Sequence, residues 1–101
     1  MYIYLGYYEG GNFGIRIETV CITKSHTFLI TEQPPSKPFC SLETVTLVPI
    51  QTSLIDRHLL DESELLWLNE YHSRIRRELT PIMKRLFPEA MDFLLQSTEL
   101  I

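Results

Sequence analysis

Three consecutive residues, Gly10-Gly11-Asn12, divide the first part of the chain into two arms that must run back along each other. Residues of this kind tolerate positive φ, which a tight reversal requires and which branched side chains resist. Tyr7-Tyr8-Glu9 leads into the turn, and Phe13 opens the return arm. On that arm Ile15 and Ile17 take one face of a strand while Arg16 and Glu18 take the other, because side chains alternate with a period of two. A charged pair facing one way from the middle of a β-branched strand fits a lined site. It also fits an edge strand with one wet face, and spacing alone leaves both readings open.

The rest of the chain falls into a strand half and a helix half. Tyr2 to Leu5 predicts a short strand, and the return arm runs from about Phe13 to Thr23. Lys24-Ser25-His26 reads as a polar break, after which Phe28 to Thr31 allows a further short strand. Three prolines between Glu32 and Pro38 require a surface connection without regular hydrogen bonding. Leu42 to Val48 returns to strand, and Pro49 ends its ladder. Asp61 is a good N-cap, and Glu64 three residues later completes a capping box. Leu65, Leu68, Tyr71 or His72, Ile75 and Leu79 then recur at helical spacing. Thr80-Pro81 predicts a restart of the helix, since proline suits a first turn and penalises an interior. Phe87-Pro88 predicts a break, and Glu89 to Gln96 a last short helix carrying Ala90, Phe93 and Leu94. The expected fold is α+β: an antiparallel sheet of three or four strands followed by two or three helices.

Charge and composition exclude several functions. The net charge of −4 lacks the concentrated basic face that nucleic-acid binding needs. Arg74, Arg76, Arg77, Lys84 and Arg85 follow Asp61, Glu62, Glu64 and Glu70, so acids open the helical region and bases close it. That order complements the helix dipole, and Glu70 with Arg74 has the spacing of an i,i+4 pair. No apolar run approaches the ~20 residues that span a bilayer. Met1-Tyr2-Ile3-Tyr4-Leu5 lacks the basic flank and apolar core of a signal peptide, so a cytoplasmic location is expected. Cys21 and Cys40 have no metal-site spacing, and both are expected as buried, unbridged thiols. His26, His58 and His72 read as surface or packing residues rather than ligands.

The run Gly6-Tyr-Tyr-Glu-Gly-Gly-Asn-Phe-Gly-Ile-Arg-Ile-Glu18 resembles the segment joining the last two metal-binding carboxylates of the Xaa-Pro aminopeptidases, which are pita-bread metallopeptidases. The resemblance continues through Thr44 to Thr52, Leu54-Ile55-Asp56 and Trp67-Leu-Asn-Glu-Tyr-His72, and is weakest between Lys24 and Ser41. It implies a partial pita-bread fold with a bent sheet. Residues 1–56 would be the end of the catalytic domain and residues 57–101 the family's helical C-terminal extension. By position Glu18 matches a bridging metal ligand, and Arg16 and Tyr8 match residues that support the ligands.

The resemblance also exposes departures. The family has a second glutamate ligand fourteen residues before the last, followed by proline and glycine, where this chain has Tyr4-Leu5-Gly6. Its two aspartates and one histidine lie upstream of this segment. Of five ligands, only Glu18 is matched. In the family two divalent ions, commonly manganese, activate a water for attack on an Xaa-Pro bond. Two readings follow. Either the chain is the C-terminal fragment of such an enzyme, inactive and metal-free by itself, or it is a non-catalytic interaction and dimerisation module. Self-association, or docking to a full-length relative, is the expected partnership, with a peptide substrate only if the site is completed. Neither nucleic acid nor membrane is expected as a partner.

Overall fold

The computed structural model describes residues 2–26 and 39–101. They form two compact units, Met1–Thr46 and Leu47–Ile101. The first is a three-stranded antiparallel sheet of β1 (Tyr2–Tyr8), β2 (Gly14–His26) and β3 (Phe39–Thr44). The long β2 is central. β1 pairs along its first half, from Tyr8↔Gly14 to Tyr2↔Val20, and β3 along its second, from Cys21↔Thr44 to His26↔Phe39.

The reversal between β1 and β2 forms as its composition requires. The Asn12 N–H donates to the Glu9 carbonyl, the Glu9 N–H donates to the Phe13 carbonyl, and Gly11 between them has φ of 79°. A positive φ at the third residue of such a turn favours glycine. Glu9 also accepts from the Tyr7 hydroxyl at 3.0 Å and the Asn12 amide at 3.3 Å, which ties the turn to itself.

All three strands have limits that differ from the sequence reading. β1 continues past Leu5 to Tyr8. β2 continues through Lys24-Ser25-His26, because these polar residues find β3 partners and Lys24 pairs with Glu43 across the strands. β3 starts at Phe39 and stops at Thr44, before Pro49 is reached. Its end is set by Val20: the Val45 and Thr46 N–H groups both donate to the Val20 carbonyl, and the Thr46 hydroxyl accepts the Val20 N–H at 2.9 Å. A side chain thus closes the ladder where a backbone carbonyl would have continued it. The possible strand Phe28–Thr31 and the proline-rich connection lie outside the described residues.

The second unit holds 3₁₀ turns at Thr52–Leu54, Arg57–Leu59 and Pro88–Ala90, with helices α1 (Glu62–Leu86) and α2 (Met91–Ser97). The capping box is present. Asp61 accepts the Glu64 N–H at 2.8 Å, and Glu64 accepts the Asp61 N–H at 2.9 Å. Leu68, Ile75 and Leu94 are buried with His72 and Thr98, so the core is the seam between the α1 stripe and α2. Phe93 of α2 is exposed instead. Two side chains of α1 hold the end of α2 and the chain beyond it. Arg76 donates to the Leu95 carbonyl and the Thr98 hydroxyl, at 2.6 and 2.9 Å. The Asn69 amide donates to the Ile101 carbonyl and accepts its N–H, at 3.2 and 3.1 Å.

The expected restart at Thr80-Pro81 does not occur, since α1 runs through Pro81. Proline removes one helical hydrogen bond and crowds the carbonyl four residues earlier, here that of Arg77. Arg77 is exposed, so water can serve its carbonyl, and the Thr80 hydroxyl donates to the Arg76 carbonyl at 2.6 Å. The buried positions of α1, Leu68, His72 and Ile75, all precede Pro81, so packing anchors the helix on that side and it continues past the penalty.

Candidate functional site

Register decides what shares a face on the β1–β2 hairpin. Opposite pairs are Tyr4↔Glu18, Gly6↔Arg16 and Tyr8↔Gly14, so these six positions lie on one face. Leu5, Tyr7, Ile15 and Ile17 take the other face and are exposed. The charged alternation predicted for Arg16 and Glu18 is therefore real, and it brings together all four positions singled out by sequence: Tyr4, Tyr8, Arg16 and Glu18.

Within that face Arg16 Nη2 lies 2.9 Å from Glu18 Oε2, with the two side chains 53% and 46% exposed. Half-exposed pairs of this kind are screened by water and add little stability. Their value is positional, because each fixes where the other's charge stands. Tyr8 lies against the strand backbone: a Cβ added at Gly6 would meet its hydroxyl oxygen at 2.7 Å, and one added at Gly14 would meet its Cδ1 at 2.7 Å. Spacing alone does not single out Gly6 or Gly14. Their signal is glycine at two strand positions on the same face as an aromatic.

The other candidates stand apart from this face. His58 is exposed, and its N–H donates to Asp56. His72 is fully buried in the helical unit, where its Nε2 accepts the Ile50 N–H at 3.1 Å. Burial lowers its pKa, against a smaller opposing effect of the Glu99 backbone, so the neutral ring is favoured. Cys21 is buried, as expected, but Cys40 is exposed because it lies on the outer strand β3. No disulfide joins them. Cys21 and Ser25, the partner of Cys40, are four residues apart on β2, about 13 Å at strand rise, beyond the reach of a bridge.

The donor set on the face is one ion-paired carboxylate. Among the described residues no cluster of three or more His, Cys, Asp or Glu side chains stands ready for a metal. A pair of hard divalent ions needs several oxygen donors, and the residue opposite Glu18 is a tyrosine rather than a second carboxylate. The described residues do not by themselves fit a metal pair. Among the described residues no helix is long and apolar enough to cross a membrane.

Residues 38–101 match the model for the C-terminal region of peptidase M24. The chain belongs to this family. Among curated relatives it is 42% identical over 84 residues to a "Probable Xaa-Pro aminopeptidase P" of Arthroderma benhamiae, covering 79% of this chain and 11% of that protein. It is 46% identical over 76 residues to "Aminopeptidase P1" of Lotus japonicus, covering 75% and 11%. It superimposes with a TM-score of 0.83 and 35% identity on the X-prolyl aminopeptidase of Caenorhabditis elegans, described as a cytosolic enzyme with a di-nuclear active site. That alignment covers 99% of this chain and 16% of the nematode enzyme. The three strands and two helices thus match part of the pita-bread fold of that enzyme. The chain spans about a tenth of the length of the curated relatives it matches.

Proposed function

We propose that this chain is the C-terminal part of a metal-dependent Xaa-Pro aminopeptidase and that it does not cleave peptides by itself. One observation carries the reading. The face that presents Glu18, the match to the family's bridging ligand, offers a single carboxylate, already paired to Arg16 and standing opposite Tyr4. In a complete enzyme Glu18 would be one of several carboxylates holding a metal pair, proposed as manganese, whose chemistry would be activation of a water and polarisation of the scissile carbonyl. The part played by this chain is to hold Glu18 in place with Arg16 and to set Tyr8 beside them. Residues 1–56 would then close the catalytic domain, with residues 57–101 as its helical extension. A cytoplasmic location is proposed from the cytosolic description of the nematode relative.

Manganese titration of the chain should show no saturable site tighter than about millimolar, because isolated carboxylates hold hard divalent ions weakly. Glu18→Ala should change uptake little. The unmodified chain should not release the first residue of an Xaa-Pro peptide. Micromolar affinity, or useful turnover, would overturn the reading. Tyr4→Glu should restore nothing unless a segment bearing the two aspartates and the histidine is also supplied.

A second reading, self-association, is favoured by apolar side chains left bare on the helical unit. Trp67 and Phe93 are 57% and 68% exposed, and Trp67 stacks on Tyr71 with centroids 5.6 Å apart. Contiguous exposed apolar surface marks interaction sites. Dimers at micromolar concentration are expected by sedimentation equilibrium, and a clean monomer counts against them.

A further inference from the structure

We propose that Gly6 and Gly14 are positioning residues: they lay the Tyr8 ring along the sheet and carry its hydroxyl to the cross-strand row that holds Arg16. The functional weight of this placement rests on the reading of the Arg16–Glu18 face given above. Its geometry does not. A Cβ at Gly14 would stand 2.7 Å from Tyr8 Cδ1 and 3.2 Å from Cε1. At Gly6 it would stand 2.7 Å from the Tyr8 hydroxyl oxygen, 2.8 Å from Cε2 and 2.9 Å from Cζ. Both approaches are closer than a real Cβ accepts, so the ring occupies the space that two missing side chains leave.

Backbone conformation does not explain these glycines. Among the described residues only Gly11 has a positive φ, so any residue could adopt the backbone of Gly6 or Gly14. A glycine inside a strand weakens it and often marks a close approach. Here the approaching group is identified, and it is the same ring at both positions. Burial does not hold the ring either, since Tyr8 is 65% exposed. The two glycines supply a flat floor instead. Gly14 lies opposite Tyr8 itself and seats the near edge of the ring. Gly6 lies opposite Arg16 and receives the hydroxyl end. The phenol therefore stops one row short of Tyr4↔Glu18, with the Arg16–Glu18 ion pair alongside. There it can donate to an oxygen acceptor docked on that pair, such as a peptide carbonyl or a carboxylate.

The glycines differ in one testable way. At Gly6 the obstructing atoms are the free end of the tyrosine, which can swing aside; at Gly14 they include Cδ1, near its root. Gly14→Ala should therefore destabilise the hairpin and Gly6→Ala should mainly move the hydroxyl.

The experiment is proton NMR on the labelled chain, with urea unfolding followed at β2 amides. In the unmodified protein the Gly6 and Gly14 Hα resonances should be displaced from ordinary glycine values by the ring current of Tyr8. Tyr8→Phe should keep those shifts, and Tyr8→Leu should abolish them. Gly14→Ala should lower the urea midpoint of the hairpin when Tyr8 is present, but leave or raise it in a Tyr8→Ala background, since alanine suits a strand better than glycine. If Gly14→Ala unfolds the hairpin outright, Gly6→Ala provides the reading through a changed Gly14 Hα shift with the β2–β3 amides in place. Ordinary glycine shifts in the unmodified protein, an equal loss from Gly14→Ala in both backgrounds, or a Gly14 shift unmoved by Gly6→Ala would each overturn the proposal. None of these measurements uses metal or peptide, so their failure would leave the aminopeptidase reading intact. A tight manganese site would defeat that reading and leave the ring on its glycines.

Discussion

Acidification should unlock the helical unit through His72. The ring is fully buried on α1, and its Nε2 accepts the Ile50 N–H, so the neutral ring carries its proton on Nδ1. Nδ1 has no hydrogen-bond partner of good geometry. A second proton would put an N–H on Nε2, facing the Ile50 N–H donor to donor, and would place a charge in the core. Burial, the larger cause, and the weaker opposing Glu99 backbone leave the pKa below its ordinary 6.5. The sign follows. Below 6.5 the unfolded chain binds a proton that the folded chain refuses, so stability is full above 6.5 and declines as pH falls toward the folded pKa. The decline for one such group cannot exceed about 1.4 kcal/mol per pH unit. Trp67, the chain's only tryptophan, stacks on Tyr71 of α1 and reports on this unit. Urea midpoints read from its fluorescence should be level from pH 8 to 7 and fall between pH 6.5 and 5. His72→Leu should lose roughly 1–3 kcal/mol at pH 7.5, the cost of leaving the Ile50 N–H buried and unmet. Its midpoint should then be flat across the same interval. An equal slope in the variant, or a level profile in the unmodified protein, would refute the assignment.

Three further outcomes are expected. Pro81→Ala should stabilise α1 by about 1–3 kcal/mol, read as a higher thermal midpoint, because alanine restores the hydrogen bond that proline omits. Asp61→Ala should lower the midpoint of the same helix by opening the capping box. In the unmodified protein that contribution should persist above pH 3.8 and fade below it, because the Glu64 N–H and then the Ser63 hydroxyl hold the Asp61 carboxylate below its ordinary pKa. A thiol reagent should label Cys40 at once and Cys21 only on unfolding, as mass spectrometry of timed samples would show.

The elements most legible in the sequence are those fixed by local chemistry. Gly11 needs positive φ, and the Asp61–Glu64 box is a contact across three residues, so the turn and the start of α1 are found where composition puts them. The buried positions of α1 follow its apolar spacing at Leu68, His72 and Ile75. What the sequence hides is long-range. Lys24-Ser25-His26 reads as a break until β3 supplies partners, and β3 ends at Thr44 because of Val20, more than twenty residues away. Pro81 is tolerated because the helix is anchored by buried residues before it and the orphaned Arg77 carbonyl sits on an exposed residue. At the candidate site the alternation of Arg16 and Glu18 is plain from spacing, whereas the glycines under Tyr8 become meaningful only once the register is known.

Asn69 sets an unequal mutational tolerance at the two ends of one contact. Its amide grips Ile101 by the N–H and carbonyl, groups that every residue except proline possesses. Substitution at position 101 therefore leaves both hydrogen bonds available and changes only the fit of a half-buried side chain. At position 69 even the nearest isostere fails. Aspartate would replace the donating nitrogen with an oxygen and set a negative charge against the Ile101 carbonyl. Within Trp67-Leu-Asn-Glu-Tyr-His72, the asparagine is thus free to ignore what it holds but not to change what it is.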